Sequence, residues 1–262
     1  MNNDAFTFED RFLPRPASRW RHTAIGGGRL IVTDTGLRLA QAGAHRARYA
    51  DAQIDDYAGL PRRRFPWRPP LRLTVRARAP VPLAGTAGFG FWNNPLSPLG
   101  GFPALPAAIW FFHASPPSDM PLAAGITGSG WKAACLDATQ PEALAWAPLA
   151  PPILLLNRIP SFHRRVWPRV QRSLRIAEAP IPALDATWRT YTLEWRERYA
   201  RFAVEGATVL ETDRPPRGPL GFVAWVDNQW AVVTPRGRIG WGLLDAVGAQ
   251  WMELGLVRID RL

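Results

Sequence analysis

Between Leu184 and Leu210, apolar and polar residues alternate in two runs. Tyr191, Leu193 and Trp195 fall on one side, and Thr190, Thr192 and Glu194 on the other. A period of two is that of a strand with one face on a core. A second run, Tyr199 to Val204, ends at Glu205-Gly206, an acidic-Gly pair of the hairpin type. Trp188 and Trp195 bracket the first run. A hairpin this apolar on one side needs a second sheet to cover it. The pattern therefore predicts a β-sandwich with this hairpin at its centre.

The same rhythm recurs along the chain. Phe6 to Phe12 reads as an opening strand. Trp20–Ile25, the turn Gly26-Gly27-Gly28 and Arg29–Thr33 read as strand, turn, strand, and Leu37–Leu39 continues them. Ala50–Tyr57 is a polar, acidic strand or strand end. Leu71–Ala79 alternates cleanly, with Leu71, Leu73, Val75 and Ala77 opposite Arg72, Thr74, Arg76 and Arg78. Thr86–Asn93 contains Gly88 and Gly90, and glycine inside a strand signals close approach of backbone or ligand. Pro106–Ala114 is nearly all apolar, as expected where both faces are covered. Gly125–Trp131 and Lys132–Asp137 read as two short strands. Gly221–Val226 and Gln229–Thr234 are joined by Asp227-Asn228, and Gly237–Gly242 precedes the closing strand Trp251–Leu262. That strand alternates on Met252, Leu254 and Leu256, then on Val257 and Ile259.

Residues 148–182 break the rhythm. Leu155, Ile159, Phe162, Val166, Val170 and Leu174 recur every three or four positions, a helical stripe, with Ser161 as N-cap and Pro168 as a kink or break. The other side carries Arg158, Arg164, Arg165, Arg169, Arg172 and Arg175, with no acid before Glu178. The segment reads as a packed insertion with a solvated basic face, as a lid over a site, or, through 158–175, as an interfacial helix on anionic lipid. No repeat or linker appears, so 1–262 reads as one domain with one insertion.

Composition sharpens this picture in a few places. At 262 residues and 47% hydrophobic content the chain can bury a full core. Its 27 prolines suit many short strands joined by loops. The formal charge is +11, yet only Lys132 among 32 basic residues is lysine. So strong an arginine bias fits base composition of the genome, and no nucleic-acid partner is read from it. The basic loop Leu60–Pro70 is either a solvated connection or a rim for an anionic ligand. The single cysteine, Cys135, excludes an internal disulfide and suits a reducing compartment. The opening residues MNNDAFTFEDRF lack the pattern of a signal peptide. The longest apolar stretch, 143–156, carries three prolines and is too short to span a bilayer. The expectation is a cytoplasmic protein, with membrane association through 158–175 as an option.

Several stretches resemble family 16 glycoside hydrolases. TWRTYTLEWRERYARFAVEGATVLET resembles that family's Tyr-x-x-x-Trp strand and the hairpin after it. LRLTVRARAP followed by GFGFWNNP resembles its paired strands before the active site, and MELGLVRID its closing strand. The resemblance covers most of the chain outside 115–182. It implies a concanavalin A-like jelly roll, an all-β sandwich of two antiparallel sheets with a ligand face on the concave one. The family's catalytic strand carries Glu-x-Asp-x-x-Glu, whereas Ala107–His113 carries no carboxylate. Retaining hydrolysis needs two carboxyl groups about 5–5.5 Å apart, so glycoside hydrolysis is not expected and no catalytic residue carries over.

The candidate chemistry is aromatic, amide and imidazole. Trp92, Asn93 and Asn94 end one strand, Trp110 and His113 lie on the next, and Trp225, Asp227, Asn228 and Trp230 follow later. If they converge they form an aromatic-walled site with few polar groups, and Asp227 near His113 would make an acid–base pair. Taken singly, each also reads as structural: a core histidine, core tryptophans, a plain Asp-Asn turn. The four histidines are scattered, Asp51, Asp55 and Asp56 match no calcium loop, and no phosphate or dinucleotide motif appears, so neither metal nor cofactor is implied. The leading expectation is a non-hydrolytic jelly roll holding a hydrophobic or amphipathic small molecule under the insertion, with isomerase or cyclase chemistry open. The alternatives are a lectin-like carbohydrate binder and a peripheral membrane protein.

Overall fold

A computed structural model describes residues 7–79, 82–95, 104–246 and 248–262. Phe6, the first residue of the expected opening strand, lies outside them. Two large antiparallel sheets face each other. Sheet A runs, edge to edge, β13 (Ala207–Thr212), β12 (Ala200–Val204), β11 (Arg189–Trp195), β6 (Leu71–Arg78), β17 (Ala249–Arg261), β4 (Leu37–Ala42) and β3 (Gly28–Val32), with β1 (Thr7–Asp10) also on β17. Sheet B runs β10 (Ala177–Pro180), β9 (Gly130–Asp137), β8 (Ala107–Ala114), β7 (Thr86–Trp92), β14 (Gly221–Asp227), β5 (Asp51–Asp55) and β2 (Arg21–Ile25). A separate hairpin pairs β15 (Gln229–Val233) with β16 (Ile239–Leu243). Three helices, α1 (Pro141–Leu144), α2 (Ala150–Leu156) and α3 (Pro160–Ser173), form the insertion. This is the expected jelly-roll sandwich.

The period-two pattern decides what lies inside. Leu71, Leu73, Val75, Tyr191, Leu193 and Trp195 of sheet A are all fully buried. They meet the inner face of sheet B through Phe89–Tyr191 at 5.2 Å, Phe91–Trp195 at 5.5 Å and Phe111–Phe202 at 5.4 Å between ring centroids. Burying each such ring contributes about 1.5–3 kcal/mol. The hairpin from Leu184 is not central in its sheet: β11–β13 fill one side, and β6 and β17 hold the middle. Its Glu205-Gly206 turn has φ of 50° and 78°, the positive values a tight hairpin turn needs.

Other expectations are corrected. The strands flanking Gly26–Gly28 do not pair, because β2 joins sheet B and β3 joins sheet A. The glycines let the chain cross between sheets: a Cβ on Gly26 would lie 2.2 Å from the Tyr49 carbonyl oxygen. Asp227-Asn228 likewise separates sheet B from the β15–β16 hairpin rather than joining two partners. Gly125–Trp131 and Lys132–Asp137 supply one strand, β9, not two. The change of alternation in β17 is a register shift between Leu254 and Leu256, after which Val257 and Ile259 face the core.

The insertion starts earlier and ends sooner than 148–182, because 177–180 forms strand β10 on the edge of sheet B. Its helical stripe is also broken. Pro160 begins α3 with Ile159 as N-cap, so Ser161 lies inside the helix, and Pro168 is accommodated without ending it. The restart rotates Leu155 and Ile159 outward, while Val170 stays buried with Trp167, Ile153, Ala123 and Ile176.

Candidate functional site

The two sheets differ on their outer faces. Sheet A presents charge: Glu253, fully buried, takes Arg78 at 2.9 Å, and Glu194 meets Arg72 and Arg201, each at 3.5 Å. Sheet B presents rings. Along β8 the alternation sends Ile109 and Phe111 into the core and Trp110 and Phe112 outward. Across β14 the outward residues are Val223, Trp225 and Asp227. A solvated sheet face is ordinarily polar, so an aromatic outer face makes sheet B the candidate site.

The rings meet over β7, the strand between β8 and β14. Trp110 stacks on Phe112 at 5.5 Å with 17° between planes, and reaches Trp225 at 5.2 Å and Trp92 at 5.9 Å. Their strands lie two spacings apart, roughly 9–10 Å, so the side chains close the gap above β7. Glycine permits this. Gly88 stands opposite both Phe112 and Trp225, and a Cβ there would lie 2.9 Å from the Trp225 ring. Gly90 has φ of 150°, and a Cβ would lie 2.5 Å from Trp110. Trp92, Trp110 and Phe112 remain half-buried. Trp92 donates to the Tyr57 hydroxyl at 2.6 Å, and Tyr57 packs on Phe65 at 4.9 Å, closing one end. Gln53 flanks the row beside Trp225, bonded to Asp55 at 3.0 Å.

At the other end lies a carboxyl pair. Asp51 and Asp227 are cross-strand partners on β5 and β14. Burial, then the nearby carboxyls of Asp227 and Asp51, raise the pKa of the Tyr49 hydroxyl, and Asp51 Oδ1 has no hydrogen-bond partner among the described residues. Asp227 Oδ1 accepts from Thr86 Oγ1 at 2.8 Å and the Gln229 amide at 3.0 Å, and Thr86 Oγ1 accepts from Trp225 Nε1 at 2.9 Å. Burial, then the neighbouring Asp227, push the Asp51 carboxyl up to about 8. Burial pushes Asp227 up to about 6 against its hydrogen bonds. Both carboxyls therefore favour the protonated form more than an ordinary aspartate does.

The expected site residues divide. Trp92, Trp110 and Trp225 come together, with Asp227 linked to Trp225 through Thr86. His113 does not join Asp227. Thr86 pairs with both Asp227 and Ala114, so His113, one residue before Ala114, faces the opposite side of the sheet. There its Nε2 lies 3.0 Å from the Leu83 carbonyl oxygen, its ring packs 5.0 Å from Trp131, and burial lowers its pKa. Asn93 braces a loop, donating to the Leu105 carbonyl and accepting from the Ala107 amide. Asn94 turns the chain at φ 41°, and Arg62 of the basic 60–70 loop binds its carbonyl at 3.1 Å. Asn228 is fully buried, bonded to Ala50, His45, Arg48 and Leu244 backbone groups. Trp230 lies on the β15–β16 hairpin, its ring against Gly242. Phe112, Thr86, Tyr49 and Asp51 were not among the site residues expected from sequence, where Asp51 was weighed only for calcium. Phe112 shares the parity of Trp110, the one signal available for it. Among the described residues no group of three or more His, Cys, Asp or Glu is placed to hold a metal ion.

No protein-family model and no curated protein matches this sequence. Solved structures do. An apo Crh5 transglycosylase aligns at 14% identity over 97% of this chain and 84% of that chain, with a TM-score of 0.54. The family GH16 endo-beta-1,3(4)-glucanase SCLam aligns at 13% identity over 99% and 92%, TM-score 0.53. The Emp47p carbohydrate recognition domain aligns at 12% over 97% and 94%, TM-score 0.50. At these identities the likeness is one of fold: the chain is a jelly roll similar to family 16 glycoside hydrolases and related sandwiches.

Proposed function

We propose that the protein binds carbohydrate on the outer face of sheet B, without cleaving it. The observation that carries this is the ring row Trp92–Trp110–Phe112–Trp225, gathered over the glycines of β7 on the side away from the core. Aromatic faces offer apolar area to a sugar ring, and the half-buried amide of Gln53 beside Trp225 suits a hydroxyl group. Fold likeness to a carbohydrate recognition domain and to glycan-acting enzymes supports the same class. Cleavage lacks its groups on the strand where the family places them, since the outward positions of β8 are Ala108, Trp110, Phe112 and Ala114. A panel of β-linked glucans and galactans, titrated against the protein and Trp110→Ala, tests the reading. Binding weakened at least tenfold by the substitution is expected. No binding across the panel, or binding indifferent to Trp110, defeats it.

A second reading rests on a different cavity. Beneath α1–α3 lies an almost wholly apolar space of about 330 Å³ lined by Leu105, Trp146, Ile153, Trp167, Val170 and Leu174. It suits a hydrophobic or amphipathic small molecule held under the insertion. Native mass spectrometry of the purified protein would retain that molecule, and Ala143→Trp, which fills the space, would abolish the extra mass. A bare mass in both proteins removes this reading.

A further inference from the structure

The helical insertion has two outward faces of different character. Its inner side is firmly held: Trp167 Nε1 donates to the Leu122 carbonyl at 2.9 Å, Trp146 Nε1 to Ser173 Oγ at 2.9 Å, and fully buried Asn157 to the Pro235 carbonyl at 2.9 Å. On the outside, α1, α2 and their flanks expose Leu144, Leu149, Leu155, Leu156 and Ile159. The exposed face of α3 is basic, with Arg164, Arg165, Arg169 and Arg172. Between 143 and 177 there is no Asp or Glu. Among the described residues none of these four arginines has an ion-pair partner; Arg169 folds back on the Arg165 carbonyl at 2.6 Å. On sheet A, by contrast, Arg38, Arg72, Arg78 and Arg201 all find carboxylates.

The β15–β16 hairpin adjoins this patch. Asn157 fastens its turn to the end of α2. It carries the two most exposed large apolar side chains among the described residues, Trp241 at 81% and Ile239 at 78%; the next is Leu155 of α2 at 60%. Rigidly mounted leucines and a tryptophan beside unpaired arginines combine the two attractions of an anionic membrane surface: apolar burial at the headgroup boundary and phosphate contact. Among the described residues no helix is long and apolar enough to cross a membrane.

We propose that the α1–α3 insertion and the β15–β16 hairpin form a docking surface for an anionic lipid bilayer. Leu155, Leu156, Ile159 and Trp241 enter the interface, and Arg164, Arg165, Arg169 and Arg172 engage lipid phosphates. Charge complementarity decides the occupant: an apolar patch alone would suit a second copy, but two copies of this patch would bring their arginines together unscreened.

Flotation of the full chain with vesicles of phosphatidylcholine, with and without 30% phosphatidylglycerol, tests this. Partition at least tenfold stronger into the anionic vesicles is expected, with release in high salt. The set Arg164→Gln, Arg165→Gln, Arg169→Gln, Arg172→Gln should weaken partition more than tenfold. The separate set Leu155→Ser, Leu156→Ser, Ile159→Ser should do the same, with circular dichroism and Tm unchanged in both. Equal partition into neutral vesicles, no partition, or indifference to both sets overturns the proposal. So does a dimer in sedimentation that the serine set dissolves, or a duplex oligonucleotide that binds more tightly than the vesicles. Trp110→Ala should leave flotation unaltered, which separates this surface from the sugar platform.

Discussion

Asp51 and Asp227 stand directly opposite each other on β5 and β14, each about 95% buried, with Tyr49 close enough for both carboxyls to raise its pKa. Their carboxyls are held up at about 8 and about 6, chiefly by burial. In the unfolded chain both would titrate near 3.9. The folded state thus keeps protons that the unfolded state has lost, and this part of the stability falls as pH rises from about 4 to about 8. Asp56, raised to about 6 mainly by burial, acts in the same direction, and His113, lowered by burial, acts against it at the acid end. Asp51→Asn isolates the pair. Its Tm should lie closest to the parent's near pH 3.5 and exceed it by a growing margin up to pH 8.5. Parallel Tm profiles for the two proteins would show that folding does not raise the Asp51 pKa.

Gly88 is the position on which the aromatic row depends. Adding one methyl group puts a Cβ 2.9 Å from the Trp225 ring and 2.4 Å from the Phe111 carbonyl oxygen. Gly88→Ala should cost about 1–3 kcal/mol, the range for overpacking, and lower Tm by about 2–4 °C for each of these. It should also diminish the near-ultraviolet dichroism of the Trp110–Trp225 contact. A variant with parental Tm and spectrum would mean that the ring does not lie over this glycine.

The sole lysine is buried. Lys132 donates to the Met120 carbonyl at 3.0 Å and lies 3.5 Å from Glu178, which accepts from the Ala123 amide. The pair pins the 120–123 segment onto sheet B. Lys132→Met leaves Glu178 buried and uncompensated and should cost about 3–5 kcal/mol. Adding Glu178→Leu should recover most of that. Denaturant titration of the two single variants and the double variant gives the coupling. Additive losses would show that the two charges do not depend on each other.

What could be read from sequence follows physical range. Local alternation found β6, β7, β8, β11 and β17 because the inside–outside choice of a strand is made residue by residue. Gly88 and Gly90 announced a close approach, and Trp225 supplies it. Pairing between distant strands leaves no local mark, so Asp51 opposite Asp227 was invisible. Parity already separated His113 from Trp110 on their own strand, but which side Asp227 faces needs the β7–β14 register. The helical stripe failed for a local reason that periodicity does not register: Pro160 restarts the helix and turns Leu155 and Ile159 to solvent.

The Tyr-x-x-x-Trp strand offers a paired test, because its two aromatics sit in the same core under opposite conditions. Trp195 is fully buried and its Nε1 donates to the Pro216 carbonyl at 2.8 Å. Tyr191 is equally buried, wedged between Phe89 and Phe111 at 5.2 Å from each, and its hydroxyl has no hydrogen-bond partner among the described residues. A buried hydroxyl without a partner costs about 1–3 kcal/mol of desolvation. Tyr191→Phe removes that cost and keeps the ring, so Tm should rise by about 2–4 °C for each kcal/mol recovered. Trp195→Phe loses ring area and leaves the Pro216 carbonyl unsatisfied, so Tm should fall. The opposite signs are the prediction: a drop in Tm for Tyr191→Phe would show that the hydroxyl is satisfied in solution and that the strand is held at both aromatics by polar contacts.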